Sequence, residues 1–379
     1  MSGVPGKYII GLTGNIATGK SVVRRMLEHL GAYTIDADAL SHRAIAKGAP
    51  GYTPVVEKFG RWILDKDGEI DRSKLGGVVF RDPAALAELE DIIHPLVGQA
   101  INVLIKRSSQ SVIVIEAIKL LESELRKSCN SIWVTYAPEE VQIERLMRKR
   151  NLTREDAKQR IGLQAAQGEK IAAANVVIRN TGSYDELWKE VTTFWKQISP
   201  TTAEGTQPTV AKKGTGNFVV LRSKPKNSEA IAHLVNHLSK GRQKLSAEDV
   251  MASFGDKAYM LLQLQDQLVG IAAWQVENLV ARTTELYMEN DIDRQAGLEM
   301  LITEVERASG DLQCEASLIF PTPELAELDP VWKKLGYAQR AATALGVQAW
   351  QDAAMESMPQ GSNIILFKQL RQDRVLRPI

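Results

Sequence analysis

From residue 7 to about residue 197 the chain alternates short apolar bursts with longer stretches of helical periodicity. "KYIIGLTG", "GAYTIDAD", "SVIVIEA", "SIWVTYA" and "ANVVIRN" are β-branched runs ended by turn or polar residues, and they predict buried strands. Between them, "KSVVRRMLEHL" and "PEEVQIERLMRKR" repeat their apolar positions at helical spacing. Strands alternating with helices predict right-handed crossovers and an α/β fold, a parallel sheet covered on both faces. The longest gap between strands, residues 39–110, holds helical patterns and the turn "DKDGEID", and predicts an inserted helical subdomain.

The alternation stops at "SPTTAEGTQPTVAKKGTGN", residues 199–217, which is rich in Thr, Gly, Pro and Ala and predicts a flexible linker. The expected division is therefore 1–198, a linker over 199–217, and 218–379. After the linker come a strand ("FVVLRS"), a helix ("NSEAIAHLVNHLSKG"), and alternation from "YMLLQLQ" to "ELYM" with a turn near Gln265 to Gln267. A helix ("GLEMLITEVERAS"), a strand ("CEASLIF") and "PVWKKLGYAQ" follow. Strands grouped with flanking helices predict an α+β domain.

Composition narrows the functions available. The 379 residues exceed one ordinary core, in keeping with two domains. The 47 basic and 46 acidic residues nearly cancel, so nothing calls for nucleic acid or an anionic membrane as a partner. Cys129 and Cys314 lie far apart, form no metal-ligand pattern and exclude a disulfide scaffold, so a reducing cytoplasm is the expected location. No signal peptide is read at "MSGVPGKYIIGL", and no apolar run approaches the roughly 18 residues of a membrane span.

Gly14 to Ser21, "GNIATGKS", match G-x-x-x-x-G-K-S between a predicted strand and helix. The glycines permit a loop whose N–H groups turn inward and, with the start of the following helix, hold phosphate oxygens. ATP is expected along Gly14, Asn15, Ile16, Ala17, Thr18, Gly19, Lys20, Ser21 and Val22. Lys20 would meet the β and γ phosphates, and the Ser21 hydroxyl a Mg²⁺ ion. No "NKxD" segment is present to read guanine. "SVIVIEA" ends in Glu116, a weak match to the acidic strand end of a motor ATPase. The second strand ends in Asp36 and Asp38, and strand carboxyl ends face the ligand crevice of an open α/β sheet. One of these carboxylates would accept a proton from an attacking hydroxyl; the other would bind magnesium water or cap the next helix. Arg145, Arg148, Lys149, Arg150, Arg154 and Arg160 gather on and after one helix, either to stabilise a transferred phosphoryl group or as a solvated face.

These segments, with "GAPGYTPVVEKFG", "DGEIDRSKLGGVVF", "LEDIIHP", "LLES", "RLMRKRNLT", "RIGLQ" and "VVIRNTGS", run in an order that resembles the dephospho-coenzyme A kinase family. The resemblance implies a P-loop fold and transfer of the ATP γ-phosphate to the ribose 3′-hydroxyl of dephospho-coenzyme A. It implies Asp38 as the base, with Asp36 second, Arg145 as a lid arginine and Asn180 near the nucleotide base. It also implies Arg72, His94 and Glu122 on the acceptor side, though His94 reads equally as a helix-end residue packed before Pro95. The sequence departs from the family in "IKLLE", where Ile118 replaces proline and Lys119 replaces leucine, and at Lys149, where arginine is usual. Those departures leave open a kinase for another nucleoside or small alcohol, or a coenzyme A or nucleotide sensor with little turnover.

Residues 218–370 resemble the GNAT acetyltransferase fold, with "WKKLGYAQ" at the position of its late "LGY" segment. The resemblance implies an acyl-coenzyme A pyrophosphate at the helix start "RQAGLE", which keeps Arg294 and Gly297 but has Glu299 where a small residue belongs. A carboxylate there opposes a pyrophosphate and points to a degenerate, regulatory or partner-binding domain. Tyr287 or Tyr337 would be the general acid of an active version, or simply packed aromatics.

Overall fold

The computed structural model describes residues 5–150, 152–198, 218–359, 364–372 and 375–376. The predicted linker lies outside them. The chain builds two sheets.

The first is parallel. Its strands are β1 (Tyr8–Thr13), β2 (Tyr33–Asp36), β3 (Val112–Glu116), β4 (Ser131–Tyr136) and β5 (Val176–Arg179), in the order β2-β3-β1-β4-β5. β3 is buried at every position and β1 at all but its first, as expected of strands covered on both faces. The chain leaves β1 through α1 (Lys20–His29) to the outer β2, then runs through α2 (Ala37–Ala44), α3 (Tyr52–Phe59), α4 (Arg72–Val79) and α5 (Pro83–Arg107) before β3. This helical insertion matches the expectation for residues 39–110, with one bridge, Leu64 to Ile70, closing its turn. After β4 come α6 (Glu139–Arg150), α7 (Arg154–Gly162) and α8 (Gln167–Ala172), and α9 (Tyr184–Ile198) follows β5. Val23, Met26 and Leu27 of α1 pack with Leu187, Val191 and Trp195 of α9 on one face of the sheet.

The second sheet is mixed. It comprises β6 (Phe218–Arg222), β7 (Ala258–Leu264), β8 (Gln267–Glu277), β9 (Val280–Met288), β10 (Ala316–Ile319), β11 (Ala338–Gln339) and β12 (Leu366–Gln369), in the order β11-β12-β10-β9-β8-β7-β6. Only the β9–β10 pairing is parallel; the others are antiparallel. Helices α10 (Ser228–Leu238), α11 (Ala247–Ser253), α12 (Arg294–Asp311), α13 (Pro323–Ala326), α14 (Asp329–Leu335) and α15 (Gln348–Ser357) surround it. The expected turn near Gln265 is present. The alternating stretch contains a second turn at Asn278 and Leu279, which splits it into three strands rather than two.

The two sheets share a core. On the face of the first sheet away from α1, Ile35, Ile115, Leu40 and Leu104 belong to one buried apolar cluster with Leu286, Leu301, Val305 and Leu312 of the C-terminal part.

Candidate active site

In a parallel sheet the carboxyl ends of the strands open onto one crevice. Register places Asp36 beside Glu116, and Leu12 beside Glu116, so the ends of β2, β3 and β1 converge. A cleft of about 1230 Å³ opens there.

The loop from β1 to α1 forms its floor. Gly19 has φ 96°, and a Cβ at that position would overlap the Asn180 side chain, so glycine is required on both counts. No side chain caps the start of α1, which leaves its first N–H groups for a ligand. Lys20 Nζ donates to the carbonyls of Gly14 (3.0 Å) and Asn15 (3.2 Å). Burial pulls its ammonium below the ordinary lysine value, against the attraction of Glu116 and Asp38. Ile16, Ala17, Gly19, Lys20, Ser21 and Val22 line the cleft. Asn15 and Thr18 turn into the protein: Asn15 Nδ2 donates to Ala165 O, and the Thr18 and Thr135 hydroxyls bond at 2.7 Å.

Arg145 and Asn180 brace this loop from the side. Arg145 Nη1 donates to Ala17 O at 3.2 Å, its Nη2 donates to Asn180 Oδ1 at 3.1 Å, and Asn180 Nδ2 donates to Thr18 O at 2.9 Å. Burial, then Arg148, lowers the Arg145 pKa. The side chains of Lys149 and Arg150 lie outside the described set.

The two strand-end aspartates separate in role. Asp36 caps α2, its Oδ1 accepting from Ala39 N at 2.8 Å. Asp38, in the first turn of α2, accepts from Ile118 N at 3.1 Å. Burial lifts the Asp38 carboxyl to about 6, with Asp36 and Glu116 adding and the Ile118 amide opposing. Glu116, which the strand pattern rated weakly, is central. It is 5% exposed, its Oε1 accepts from Ser21 Oγ at 3.4 Å, and its Oε2 accepts from Arg24 Nε at 2.6 Å. Arg24 also stands 3.9 Å from Asp36.

The acceptor side brings together some of the expected residues. Arg72 lines the cleft at the start of α4, whose cap Asp71 accepts from Ser73 N and Lys74 N. His42, one helical turn beyond Asp38, lines it too; burial, then Arg72, lowers its pKa. That spacing of four was a signal available in the sequence and not used. Ile118 lines the cleft; its N–H donates to Asp38 and its carbonyl accepts from Lys170 Nζ at 2.9 Å and Thr13 Oγ1 at 3.1 Å, so the departing segment is held on both sides of one residue. Lys170, 3% exposed, was missed because it belongs to no motif. Lys119 points away, pairing with Glu90 at 2.9 Å.

Two expected residues stand elsewhere. His94 is exposed in mid-helix and does not line the cleft, because α5 continues through Pro95 rather than ending before it. Glu122 is also exposed and outside the cleft lining, reaching the site only through its charge on Lys170.

The C-terminal helix start differs. Asp293 caps α12, accepting from Ala296 N at 3.1 Å, and Glu299 pairs with Lys334 at 2.6 Å. Tyr337 is buried with its hydroxyl donating to Ser317 Oγ at 2.9 Å, the packed alternative; Tyr287 accepts from Gln243.

A parallel sheet, an uncapped helix start, a buried ammonium and a raised carboxyl across one cleft define a P-loop phosphotransferase site. The profile of the dephospho-CoA kinase (CoaE) family matches residues 8–186. A Geobacter sulfurreducens dephospho-CoA kinase is 40% identical over 195 residues, covering 51% of this chain and 99% of that protein. The chain belongs to the dephospho-CoA kinase family, whose reaction completes coenzyme A synthesis, and it is an ATP-using kinase. A solved Thermus thermophilus protein aligns with 51% of this chain and 98% of its own at 29% identity and TM-score 0.46. A GNAT-family acetyltransferase from Staphylococcus aureus aligns with 41% of this chain and 99% of its own at 9% identity and TM-score 0.32.

Proposed function

We propose that residues 1–198 form a kinase domain that transfers the γ-phosphate of ATP to the ribose 3′-hydroxyl of dephospho-coenzyme A. ATP lies along Gly14–Val22 with its phosphates at the start of α1 and on Lys20. Dephospho-coenzyme A occupies the side of the cleft bounded by α2, Arg72 and Ile118. Asp38 takes the hydroxyl proton as the new O–P bond forms and the bond from the γ phosphorus to ADP breaks. Asp38 lines the same cleft as Lys20 and Ser21, and that placement carries the assignment; a carboxyl lifted to about 6 is also mostly ionised at neutral pH yet a stronger base than an ordinary aspartate.

Among the described residues no group of three or more His, Cys, Asp or Glu side chains forms a metal cage. Mg²⁺ held mainly by nucleotide phosphates needs no such cage, and the Ser21 hydroxyl beside Glu116 fits one protein contact. Bound there, the ion would neutralise charge on the β and γ phosphates. Arg145 would meet the transferred group as the lid arginine, a reading supported by its hydrogen bond to the Ala17 carbonyl of the loop. The soluble location is the cytoplasm, in keeping with the absence, among described residues, of any helix long and apolar enough to cross a membrane.

Residues 218–379 form a second domain that does not hold an acyl-coenzyme A at α12, because the Asp293 carboxylate already accepts from the Ala296 amide at the helix start and sets a negative charge where a pyrophosphate would lie. The kinase assignment is tested with Asp38→Asn in a coupled assay. Turnover falls about 10²- to 10⁴-fold while ATP affinity holds. Equal losses in turnover and ATP affinity would remove Asp38 from the base role, and no turnover of dephospho-coenzyme A by the native protein would defeat the activity.

A further inference from the structure

Helices α1 and α2 carry the groups that do the chemistry: Lys20 and Ser21 on one, Asp38 on the other. Each also sends a buried arginine into the C-terminal sheet. Arg25, 8% exposed, holds both Glu28 oxygens at 2.9 Å and donates through Nη2 to Val276 O at 2.9 Å. Arg43, also 8% exposed, donates to Asn278 O at 3.1 Å and to Glu315 Oε2 at 2.6 Å. Glu315 is 1% exposed, and its own N–H donates to Leu279 O at 2.7 Å. One short turn thus receives a cation from each catalytic helix, and Glu315 locks the second cation to the turn.

The turn is conformationally unusual. Asn278 and Leu279 have φ of 52° and 60°, the left-handed region, which is costly for leucine. The β7–β8 turn uses the same angles at Gln265 and Asp266 but faces solvent. At 278–279 the Asn278 side chain is exposed, but Leu279 is half-buried and packs on the shared apolar core. Glu277 and Asn278 line the same cleft as Asp36 and Asp38.

The mechanical path is short. Arg24, the neighbour of Arg25, holds Glu116 and faces Asp36, while Arg43 lies five residues beyond Asp38 on one helix, roughly 7.5 Å along the axis. At the far end of α1, a His29 ring nitrogen pairs with Phe254 O at 3.0 Å. We propose that the 276–279 turn of the C-terminal sheet is a positioning element of the kinase site. Through Arg25, Arg43 and Glu315 it sets α2 against α1, and so sets Asp38 against the phosphate cradle. The C-terminal domain then acts on phosphoryl transfer without contacting a reacting atom. This inference rests on the kinase reading above.

The test uses the full chain and compares native protein with Glu315→Gln, which keeps the shape and removes the charge. Turnover of dephospho-coenzyme A is expected to fall about tenfold or more with the KM for ATP within about twofold, since small displacements of a catalytic group are costly. Glu315→Asp, which restores the charge, is expected to recover part of the loss. A thermal melt establishes that each variant is folded at the assay temperature. Should Glu315→Gln fail to fold, the double variant Arg43→Gln with Glu315→Gln removes both members of this ion pair and carries the same expectation. A folded variant with native turnover, or one that loses ATP affinity and turnover together, overturns the positioning role. An inactive native protein instead defeats the kinase reading, and the positioning role falls with it.

Discussion

Two helices in this chain begin where a phosphate would be welcome, and they end up as opposites. At α1, Gly19 offers no side chain, Lys20 adds a buried ammonium, and the first amides face the cleft. At α12, Asp293 folds back onto the Ala296 amide, and Glu299, in the second turn, pairs with Lys334. The difference teaches that a helix start binds anions only when nothing of the chain's own reaches it first. A capping aspartate adds to helix stability by the same interaction that a phosphate would use.

The largest expected effect breaks the comparison from the α1 side. Lys20→Ala removes the ammonium while leaving the glycine turn, and kcat/KM should fall about 10²- to 10³-fold, measured in the coupled assay. A fall smaller than about tenfold would mean that the amides alone suffice, and the contrast between the helices would rest on Asp293 only.

Next in size is the pH response of the same site. Asp38 must be ionised to accept a proton, so kcat should decline as pH falls through about 6, roughly tenfold per unit below it. Asp38→Asn should abolish that limb. A limb centred near the ordinary aspartate value would show that the carboxyl is better solvated than its position indicates.

The α12 side gives smaller effects. Asp293→Ala uncaps that helix and should cost about 1 kcal/mol, read as a lower melting transition. Calorimetry with acetyl-coenzyme A should show no heat for the native protein, and binding by it would erase the distinction between the two helix starts.

The smallest effect is on stability and runs opposite to activity. The folded Asp38 carboxyl holds its proton to about 6 against an ordinary 3.8, so its contribution to stability is full below 3.8 and lost as pH rises through about 6. At neutral pH the ionised group opposes folding. Asp38→Asn should therefore raise the melting temperature of the kinase domain by about 2–4 °C, with solvent screening reducing the gain. An unchanged or lower melting temperature at pH 7, with a gain appearing nowhere, would contradict the buried charge.

Much of the N-terminal part was legible in the chain because its signals are local. Five apolar runs became the five strands of the parallel sheet, and the cradle motif needed only its flanking strand and helix. Thr153 caps α7, its side chain accepting from the Asp156 amide three residues on. For Asp36 the sequence leaves open a second candidate for the base, a metal-side group or a cap, and the hydrogen bond from Ala39 that makes it a cap emerges only with the fold. For His94 the sequence leaves open an acceptor-side residue or a helix end packed before Pro95, but a proline can sit inside a long helix supported along one face, and the histidine is exposed in mid-helix.

What the sequence determined by itself was the alternation of elements, the phosphate cradle and the family's ordered segments, since each depends on neighbours a few residues apart. Tertiary structure alone decided the rest. Glu116 meets Ser21 across 95 residues, Lys170 reaches Ile118 across 52, and Arg43 finds Glu315 across 272. No periodicity or motif encodes such pairs. They arise where strand order and a shared core bring distant segments together, and burial then makes each charge take a partner.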